Sequence, residues 1–316
     1  MVLEKTKEDV LEKTKEDVLE KPKLVWFNVV GFVLLHLIWL YSVYIILTGK
    51  VKLITTIYTV TSCIFIAGLG ITLGAHRLWS HRSYKAKLPL RLFLLLGQTM
   101  AGQNCLWVWV RDHRTHHKFS DTDADPHNAK RGFFFSHMGW LMMRKHPDVI
   151  RKGKQVDLSD LEADPWIMFQ KKYYIPLHLL ISLAISAVPH FLWNESLWYS
   201  LMVSYVFRIV VQLHFTWTVN SFAHMYGNKP YEKEIIPAQN PYVAILALGE
   251  GWHNFHHAFP WDCNTSEFGQ YFNLSSKCLR IFEYLGLAYD LKIATKEIIM
   301  NRVLKHGDGS HHLIGN

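Results

Sequence analysis

The 316-residue sequence has only four cysteines, and no two of them show the C-x-x-C spacing of zinc or redox motifs, so free thiols are the expected state. Residues 1–23 are rich in Lys and Glu rather than apolar, and a secretory signal peptide is therefore not expected. Neither G-x-S-x-G nor H-E-x-x-H occurs. These absences argue against a serine hydrolase of the nucleophile-elbow type and against a zinc protease.

Long apolar runs are present instead, and 50% of the residues are hydrophobic. Four stretches reach the roughly 20 residues that cross a bilayer, and Arg208 is the one charged residue inside them. They cover residues 24–47, 53–75, 175–192 and 197–219. The pattern predicts an all-α integral membrane protein with four transmembrane helices in two hairpins. Two buried helical hairpins of a soluble protein are the alternative.

The distribution of basic residues predicts the orientation and the domain organisation. Residues 76–172 are rich in Lys and Arg, so the positive-inside rule places them, residues 220–296 and both termini in the cytosol. Residues 1–23, in which residues 2–9 recur as 10–17, are expected to form a flexible charged tail. Residues 24–296 are expected to form the membrane domain, and 297–316 a C-terminal tail. The net charge of +8 suits anionic partners such as lipid headgroups; nucleic acid is not expected.

Histidine is the most informative residue type, because it occurs in three regularly spaced clusters. They are HRLWSH (His76 and His81), HRTHH (His113, His116 and His117) and HNFHH (His253, His256 and His257). Residues i, i+3 and i+4 share one helix face, so each H-x-x-H-H triplet can direct three imidazoles to one point. His76 and His81 are about 140° apart on an α-helix, so a helix end or bend is predicted between them.

The number of ligands predicts a histidine-rich site for two metal ions in a cytosolic helical cap. Eight imidazoles exceed the four ligands of a structural zinc site, although imidazole suits Zn, Cu, Fe and Ni alike. Two adjacent metal ions can activate water or dioxygen, and oxidation of an unactivated hydrocarbon requires a redox metal. Asp121, Asp123 and Asp125 resemble the start of an EF-hand. Because Pro126 replaces its glycine, they are interpreted as loop and cap residues.

Four segments together resemble the membrane acyl-CoA desaturases of the stearoyl-CoA desaturase type: HRLWSH, WVRDHRTHHKFSDTDADPHN, RGFFFSHMGWLMMRKHPDV and GEGWHNFHHAFPWD. The resemblance runs from about Trp26 to about Tyr289. It implies an enzyme of the endoplasmic reticulum membrane that puts a double bond into an acyl-CoA. It also implies two iron ions, O2, and electrons from cytochrome b5 and its reductase. No HPGG-type haem-binding segment occurs, so cytochrome b5 is expected to be a separate protein.

The resemblance further implies roles for individual residues. His224 would be a ninth metal ligand, and Asn220 would act on the second metal through a water. Contacts to the CoA headgroup are implied for Asn28, Asn104, Arg111, Arg144 and Lys145. Gln103, Trp109 and Thr216 would set the bend of the acyl tunnel, and Ile64 and Gly68 would form its closed end. Without the resemblance, Arg144 and Lys145 would be a solvated face, and Ile64 and Gly68 helix packing.

The predicted function is desaturation of a saturated acyl-CoA, and the position of the double bond depends on one short motif. Residues 236–239 (IPAQ) resemble the LPAQ tetrapeptide of the Δ11 subgroup of insect pheromone-producing desaturases, which favours Δ11, with Δ9 close behind. A surface turn without contact to the acyl chain is the alternative reading of this motif. The rival functions are a membrane diiron hydroxylase and, from another class, a transition-metal transporter. Histidines at the ends of the spans rather than inside them disfavour transport.

Overall fold

The computed structural model describes residues 23–268 and 273–314, so the predicted N-terminal tail lies outside it apart from Lys23. Two long helices open the chain, α1 (Trp26–Leu47) and α2 (Leu53–Ser80). In α2 the backbone is α-helical over Leu53–Ser62 and then π-helical over Cys63–Gly68 and Gly70–Ser80.

The helices that follow are α3 (Leu88–Ala101), α4 (Leu106–Phe119), α5 (Phe133–His137), α6 (Pro147–Gly153), α7 (Ser159–Glu162), α8 (Pro165–Lys172) and α9 (Tyr174–Trp193). Next comes α10, which runs without interruption through Leu197–Leu201, Met202–Phe207 and Arg208–Asn220. The last are α11 (Phe222–Met225), α12 (Pro241–Leu246), α13 (His253–Ala258), α14 (Leu274–Tyr284) and α15 (Lys296–His306). Strands β1 (Lys85–Ala86) and β2 (Ala288–Tyr289) form an antiparallel pair. The described chain is mostly helical, and its longer non-helical segments, such as residues 120–128 and 226–240, lie between the helices.

Three helices, α1, α2 and α9, are long and apolar enough to cross a membrane. The helix α10 covers the predicted fourth span but is not among them, because residues such as Gln212, His214 and Thr216 make it more polar. Two hairpins are nevertheless joined at one end by Glu195, which lies between α9 and α10. This buried carboxylate accepts hydrogen bonds from the backbone N–H of Lys52 (2.9 Å) and the hydroxyl of Thr55 (2.7 Å).

The backbones of α2 and α3 touch where two glycines meet. A β-carbon on Gly70 would collide with the backbone of Gly97 and Gln98, and one on Gly97 would collide with the carbonyl of Ile66. Only glycine permits helices to approach so closely. The contact fixes α3, and with it the loop that enters α4, against the helix that carries His76.

The cap has its own apolar core around Leu73, Leu94, Leu106, Leu161 and Leu279, all fully buried. A second cluster joins the chain end to the third histidine box: Ile299 and Val303 of α15 pack with Tyr231, Phe255 and Phe259. The predicted boundary between the membrane domain and the C-terminal tail, after residue 296, therefore falls inside a packed helix.

Candidate metal centre and substrate cavities

The fold brings all nine predicted histidine ligands together at one end of the long helices. The first group consists of His76, His81, His113, His117 and His256, and the second of His116, His224, His253 and His257. Within each group one nitrogen from every ring lies within 4.8 Å of the others. The helices that supply them are α2, α4, α11 and α13.

His76 and His81 reach the same group, and α2 ends between them at Ser80, as predicted. The π-helical backbone of α2 continues to Ser80, and the N–H of His81 donates to the carbonyl of His76 at 3.1 Å. An i→i+5 hydrogen bond brings residues five apart onto one face, which an α-helix does not do. The two ring centroids are 4.8 Å apart. The predicted helix end between the two residues is therefore confirmed, whereas the π-helical backbone that carries His76 was not predicted.

The separations of the ring nitrogens fit metal ligation better than hydrogen bonding. The Nε2–Nε2 distances are 2.9 Å for His76–His256, His81–His113 and His117–His256, 3.0 Å for His224–His253 and 3.2 Å for His253–His257. Nε2 of His256 and of His253 each faces two other nitrogens, although a ring nitrogen has one lone pair or one N–H to offer. Two nitrogens at right angles on an ion, with bonds of about 2.1 Å, are about 3 Å apart. One ion for each group satisfies this geometry.

Protonation favours ligation for most of the set. Burial, followed by the neighbouring imidazoles and other cations, lowers the pKa well below its ordinary value for His81, His113, His117, His253, His256 and His257. These rings are neutral at physiological pH, and the neutral ring is the form that binds a metal. Burial also acts on His116, but the carboxylates of Asp125 and Asp121 outweigh it and raise the pKa of this ring.

Three carboxylates that the sequence interpretation missed contact the outer nitrogens of three ligands. Asp125 Oδ2 lies 2.8 Å from His116 Nδ1, Asp121 Oδ2 lies 3.1 Å from His224 Nδ1, and Glu250 Oε2 lies 2.9 Å from His76 Nδ1. All three carboxylates are buried. The contacts of His116 and His224 are hydrogen bonds, and such partners fix the ring tautomer and would aim Nε2 at a metal. Glu250 is paired with His76 by charge and distance alone, because neither atom has hydrogen-bond geometry. For Asp121 and Asp125 the sequence signal is the run of acidic residues after the second box; Glu250 lies three residues before the third box.

Two cavities meet beside the histidine groups. The inner cavity, of about 180 Å³, is lined by Ile64 and Gly68 at one end and by ligands of both groups. The outer cavity, of about 530 Å³, is lined by Asn28, Gln103 and Asn104. The residues that line both are Trp109, His113, Thr216 and Asn220.

The junction between these cavities is held by hydrogen bonds. Gln103 Nε2 donates to the hydroxyl of Thr216 at 2.8 Å, and Trp109 Nε1 donates to Gln103 Oε1 at 3.2 Å. The three residues implied at a tunnel bend are therefore linked to one another. Asn220, the last residue of α10, faces the same junction, so the predicted water-binding residue lies next to the ligands.

The predicted headgroup residues fall into two sets. Arg111 and Lys145 line a surface groove of about 670 Å³, and both donate to Asp112, with Arg111 Nη2 at 2.8 Å and Lys145 Nζ at 2.5 Å. Asp112 also lines the outer cavity, so the groove and the cavity adjoin. Arg144 is exposed next to Lys145 and does not line the groove. The sequence did not predict a role for Asp112, because its partner Lys145 is 33 residues away and reaches it only in the folded chain.

The IPAQ motif is not the surface turn that the alternative reading assumed. Ala238 and Gln239 are buried, and the N–H of Ala238 donates to the carbonyl of Ala223 in α11 at 2.7 Å. The Asn254 side chain in the third box donates to the carbonyl of Pro237 at 2.9 Å. The motif thus braces the segments that carry His224 and His253, and it lines neither cavity.

Nine converging imidazoles beside an apolar cavity, at the ends of membrane-length helices, define a candidate metalloenzyme of the membrane. The fatty acid desaturase family matches residues 55–288. An acyl-CoA Delta12-desaturase of Acheta domesticus is 54% identical over 295 residues, covering 93% of this chain and 82% of that protein. An acyl-CoA Delta-9 desaturase of the same species is 52% identical over 295 residues, with coverage of 93% and 82%. Stearoyl-CoA desaturase 5 of Bos taurus is 52% identical over 288 residues, with coverage of 91% and 85%.

The chain belongs to the fatty acid desaturase family. Its relatives are named acyl-CoA desaturases, and it is accordingly an oxidoreductase of lipid metabolism. The three apolar helices agree with a multi-pass membrane protein.

Proposed function

We propose that this protein is an acyl-CoA desaturase that removes two hydrogens from neighbouring carbons of a saturated acyl chain. The observation that carries the proposal is the junction of two cavities at His113 and Asn220, beside both histidine groups. A chain that lies through this junction has its middle next to the ligands. The names of the relatives support acyl-CoA as the substrate.

The nine histidines are proposed to hold two iron ions, with Asn220 contributing through a water. Bound iron would supply the oxidising chemistry with dioxygen. The chain's own work is positional: Gln103, Trp109 and Thr216 fix the path of the substrate, an orientation effect. The apolar walls of the inner cavity exclude water from the reacting carbons.

The CoA headgroup is proposed to lie over the surface groove and the mouth of the outer cavity. Arg111 and Lys145 supply positive charge for its phosphates, with Arg144 close by, and Asn28 and Asn104 line the entrance. Asn28 Nδ2 donates to the carbonyl of Leu141 at 2.7 Å, which places this amide at the cavity wall. The closed end at Ile64 and Gly68 would receive the terminal methyl group.

The cellular setting is proposed from the family resemblance and the charge distribution. We place the protein in the endoplasmic reticulum membrane with both termini cytosolic, α10 as a fourth span, and residues 76–172 and 220–296 on the cytosolic side. In that arrangement residues 24–296 form the membrane domain. Electrons would come from cytochrome b5 and its reductase, which can approach the cap from the cytosol.

The double bond is proposed at Δ11, with Δ9 as the second choice. The IPAQ motif supports Δ11 by its likeness to LPAQ, and its contacts with the segments of His224 and His253 give it a route to the metal positions. The relatives are named for Δ9 and Δ12 activities, so the position needs direct measurement.

Expression in a desaturase-deficient cell fed mixed saturated C14 to C18 substrates tests the function. Products two mass units lighter than their precursors are expected, and mapping of the double bonds assigns their position. His116→Ala and His256→Ala should abolish product without preventing membrane insertion, whereas His146→Ala, outside the two groups, should not. Products 16 mass units heavier would identify a hydroxylase instead. Full activity of either ligand variant would refute the metal assignment, and double bonds only at C9 would refute Δ11.

A further inference from the structure

Arg208 is a fully buried arginine in the middle of α10, with a side-chain exposure of 0%. Its Nε donates to the carbonyl of Ser204 at 2.9 Å and its Nη1 to the carbonyl of Met100 at 3.0 Å. Among the described residues its titratable neighbours are Cys63, Tyr205 and Tyr58, none of them a carboxylate, and its Nη2 has no hydrogen-bond partner. Charges buried in membrane segments are costly, and those that occur usually have a functional reason. The reason has to lie in what Arg208 touches.

What Arg208 touches is the C-terminal end of α3. The last carbonyls of a helix lack partners inside it and carry partial negative charge, so a cation there is favourable. Residues Thr99, Met100 and Ala101 are buried, so water does not satisfy this end. Two other side chains help: His178 Nδ1 contacts the carbonyl of Thr99 at 2.9 Å, and Ser182 lies 3.5 Å from the Met100 carbonyl. Arg208 is the only charged group among them.

The helix end held by Arg208 leads directly into the junction of the cavities. Gly102, with a left-handed φ of 71°, ends α3, and Gln103 follows it. Gln103 makes the hydrogen bond to Thr216 at 2.8 Å that holds the wall of the junction. Thr216 and Arg208 lie on the same helix, α10. The helix α10 therefore holds this loop at two points, through the guanidinium of Arg208 and through the hydroxyl of Thr216.

We propose that Arg208 is a positioning residue that sets which carbon–carbon bond of the substrate lies beside the metal centre. The inference rests on the proposed function. By holding the end of α3, Arg208 keeps Gln103 in hydrogen-bond distance of Thr216, and this bond defines the path of the acyl chain. Without Arg208 the loop relaxes, and the chain can slide by one methylene group.

The test measures the positions of double bonds in products formed by wild type and Arg208→Met, with expression and metal content determined in parallel. The ratio of displaced to wild-type products does not depend on how much enzyme folds, so a general loss of stability leaves it unchanged. It is expected to rise about tenfold, the lower range of what one methylene contributes to discrimination. Ser200→Ala removes a buried hydrogen bond from α10 to the carbonyl of Ser186 in α9 rather than to α3. It is the matched control and should keep the wild-type ratio.

Two further variants make the outcome decisive. Gln103→Ala should displace the double bond in the same direction, and combining it with Arg208→Met should add nothing, because both act on one loop. Arg208→Lys keeps the charge but cannot serve both carbonyls with a planar fork, so an intermediate ratio is expected. A wild-type ratio in folded Arg208→Met overturns the proposal; if that variant does not fold, a wild-type ratio in Arg208→Lys does so. If the wild type hydroxylates its substrate, the proposed function fails, but the hydroxylated position still reports the register.

Discussion

His116 Nδ1 lies 2.8 Å from Asp125 Oδ2, and both side chains are almost fully buried. Asp125 also accepts backbone N–H groups from Asp121 at 2.8 Å and His127 at 3.0 Å, so its position is fixed by the loop itself. The carboxylate can only accept, so His116 carries its proton on Nδ1 and turns Nε2 toward the second group. The loop after the second histidine box therefore contributes to the candidate metal centre.

Replacement of Asp125 should weaken metal binding. Asp125→Ala removes the acceptor for His116, and loss of such a partner typically costs about 10–100-fold in metal affinity. Chelator titration of purified protein, followed by metal analysis, checks this. Asp123→Ala is the control, because Asp123 is an exposed carboxylate of the same loop. Equal retention of metal in both variants would contradict the role given to Asp125.

The groove predicts a ranking among the basic residues. Lys145→Glu should raise the KM for acyl-CoA more than Arg144→Glu, because Lys145 lines the groove and Arg144 does not. Both effects should grow at low salt, where charges are less screened. Steady-state kinetics at two ionic strengths measure this, with Lys130→Glu as a control of equal charge change outside the groove. An unchanged KM in Lys145→Glu at low salt would mean that these residues form an ordinary solvated surface and do not bind the headgroup.

Gly68 predicts the length of the acyl chain that the inner cavity accepts. A β-carbon at Gly68 would lie 2.7 Å from Leu248 Cδ1, and Leu248 also lines this cavity. Gly68→Ala should therefore displace the Leu248 side chain and shift preference toward shorter acyl chains. Competition between C14 and C18 substrates measures the shift. Val60→Ile, which adds one carbon on the exposed side of the same helix and lines neither cavity, is the control. If the preference stays the same in active enzyme, the tunnel ends elsewhere.

Acid should remove a stabilising contribution of Asp160. Burial alone would raise its pKa, but hydrogen bonds from Arg114 and Arg82 outweigh burial and lower the pKa to about 2. A group whose pKa is lower in the folded than in the unfolded state stabilises the fold at pH values above the unfolded pKa, here about 3.9. This stabilisation is lost as the pH falls toward about 2.

Asp160→Asn should therefore lower both the Tm and the free energy of unfolding at neutral pH. The loss of free energy should be about 1 kcal/mol or less, because these ion pairs are partly exposed. The difference should shrink as the pH falls through about 4 toward about 2. Thermal unfolding in detergent over this range is the measurement. Asp157→Asn, at a more exposed carboxylate, should show a smaller difference. A difference that persists at the acid end would exclude the ionic explanation.

The histidine spacing and the resemblance together predicted which nine histidines come together, because residues at i, i+3 and i+4 share one helix face. They did not predict the π-helix of α2, since nothing in the residues between His76 and His81 marks an i→i+5 hydrogen bond. Asp121 and Asp125 are loop residues that accept backbone N–H groups, as predicted. Their contacts with His224 and His116 were not predicted, because these partners come together only in the folded chain. The fourth span remains a proposal for a related reason: polar residues such as Thr216 dilute an apolar run, and their partners on other helices cannot be seen in the sequence.

The helix α2 carries three fixed features in a row: the cavity end at Gly68, the backbone contact at Gly70 and the ligand His76. Each residue of a helix contributes about a quarter of a turn, so a single-residue deletion between these points would turn one feature away from the others. No side-chain substitution can repair such a change. In this stretch of the chain, insertions and deletions should be tolerated far less than substitutions, the reverse of what a surface loop allows.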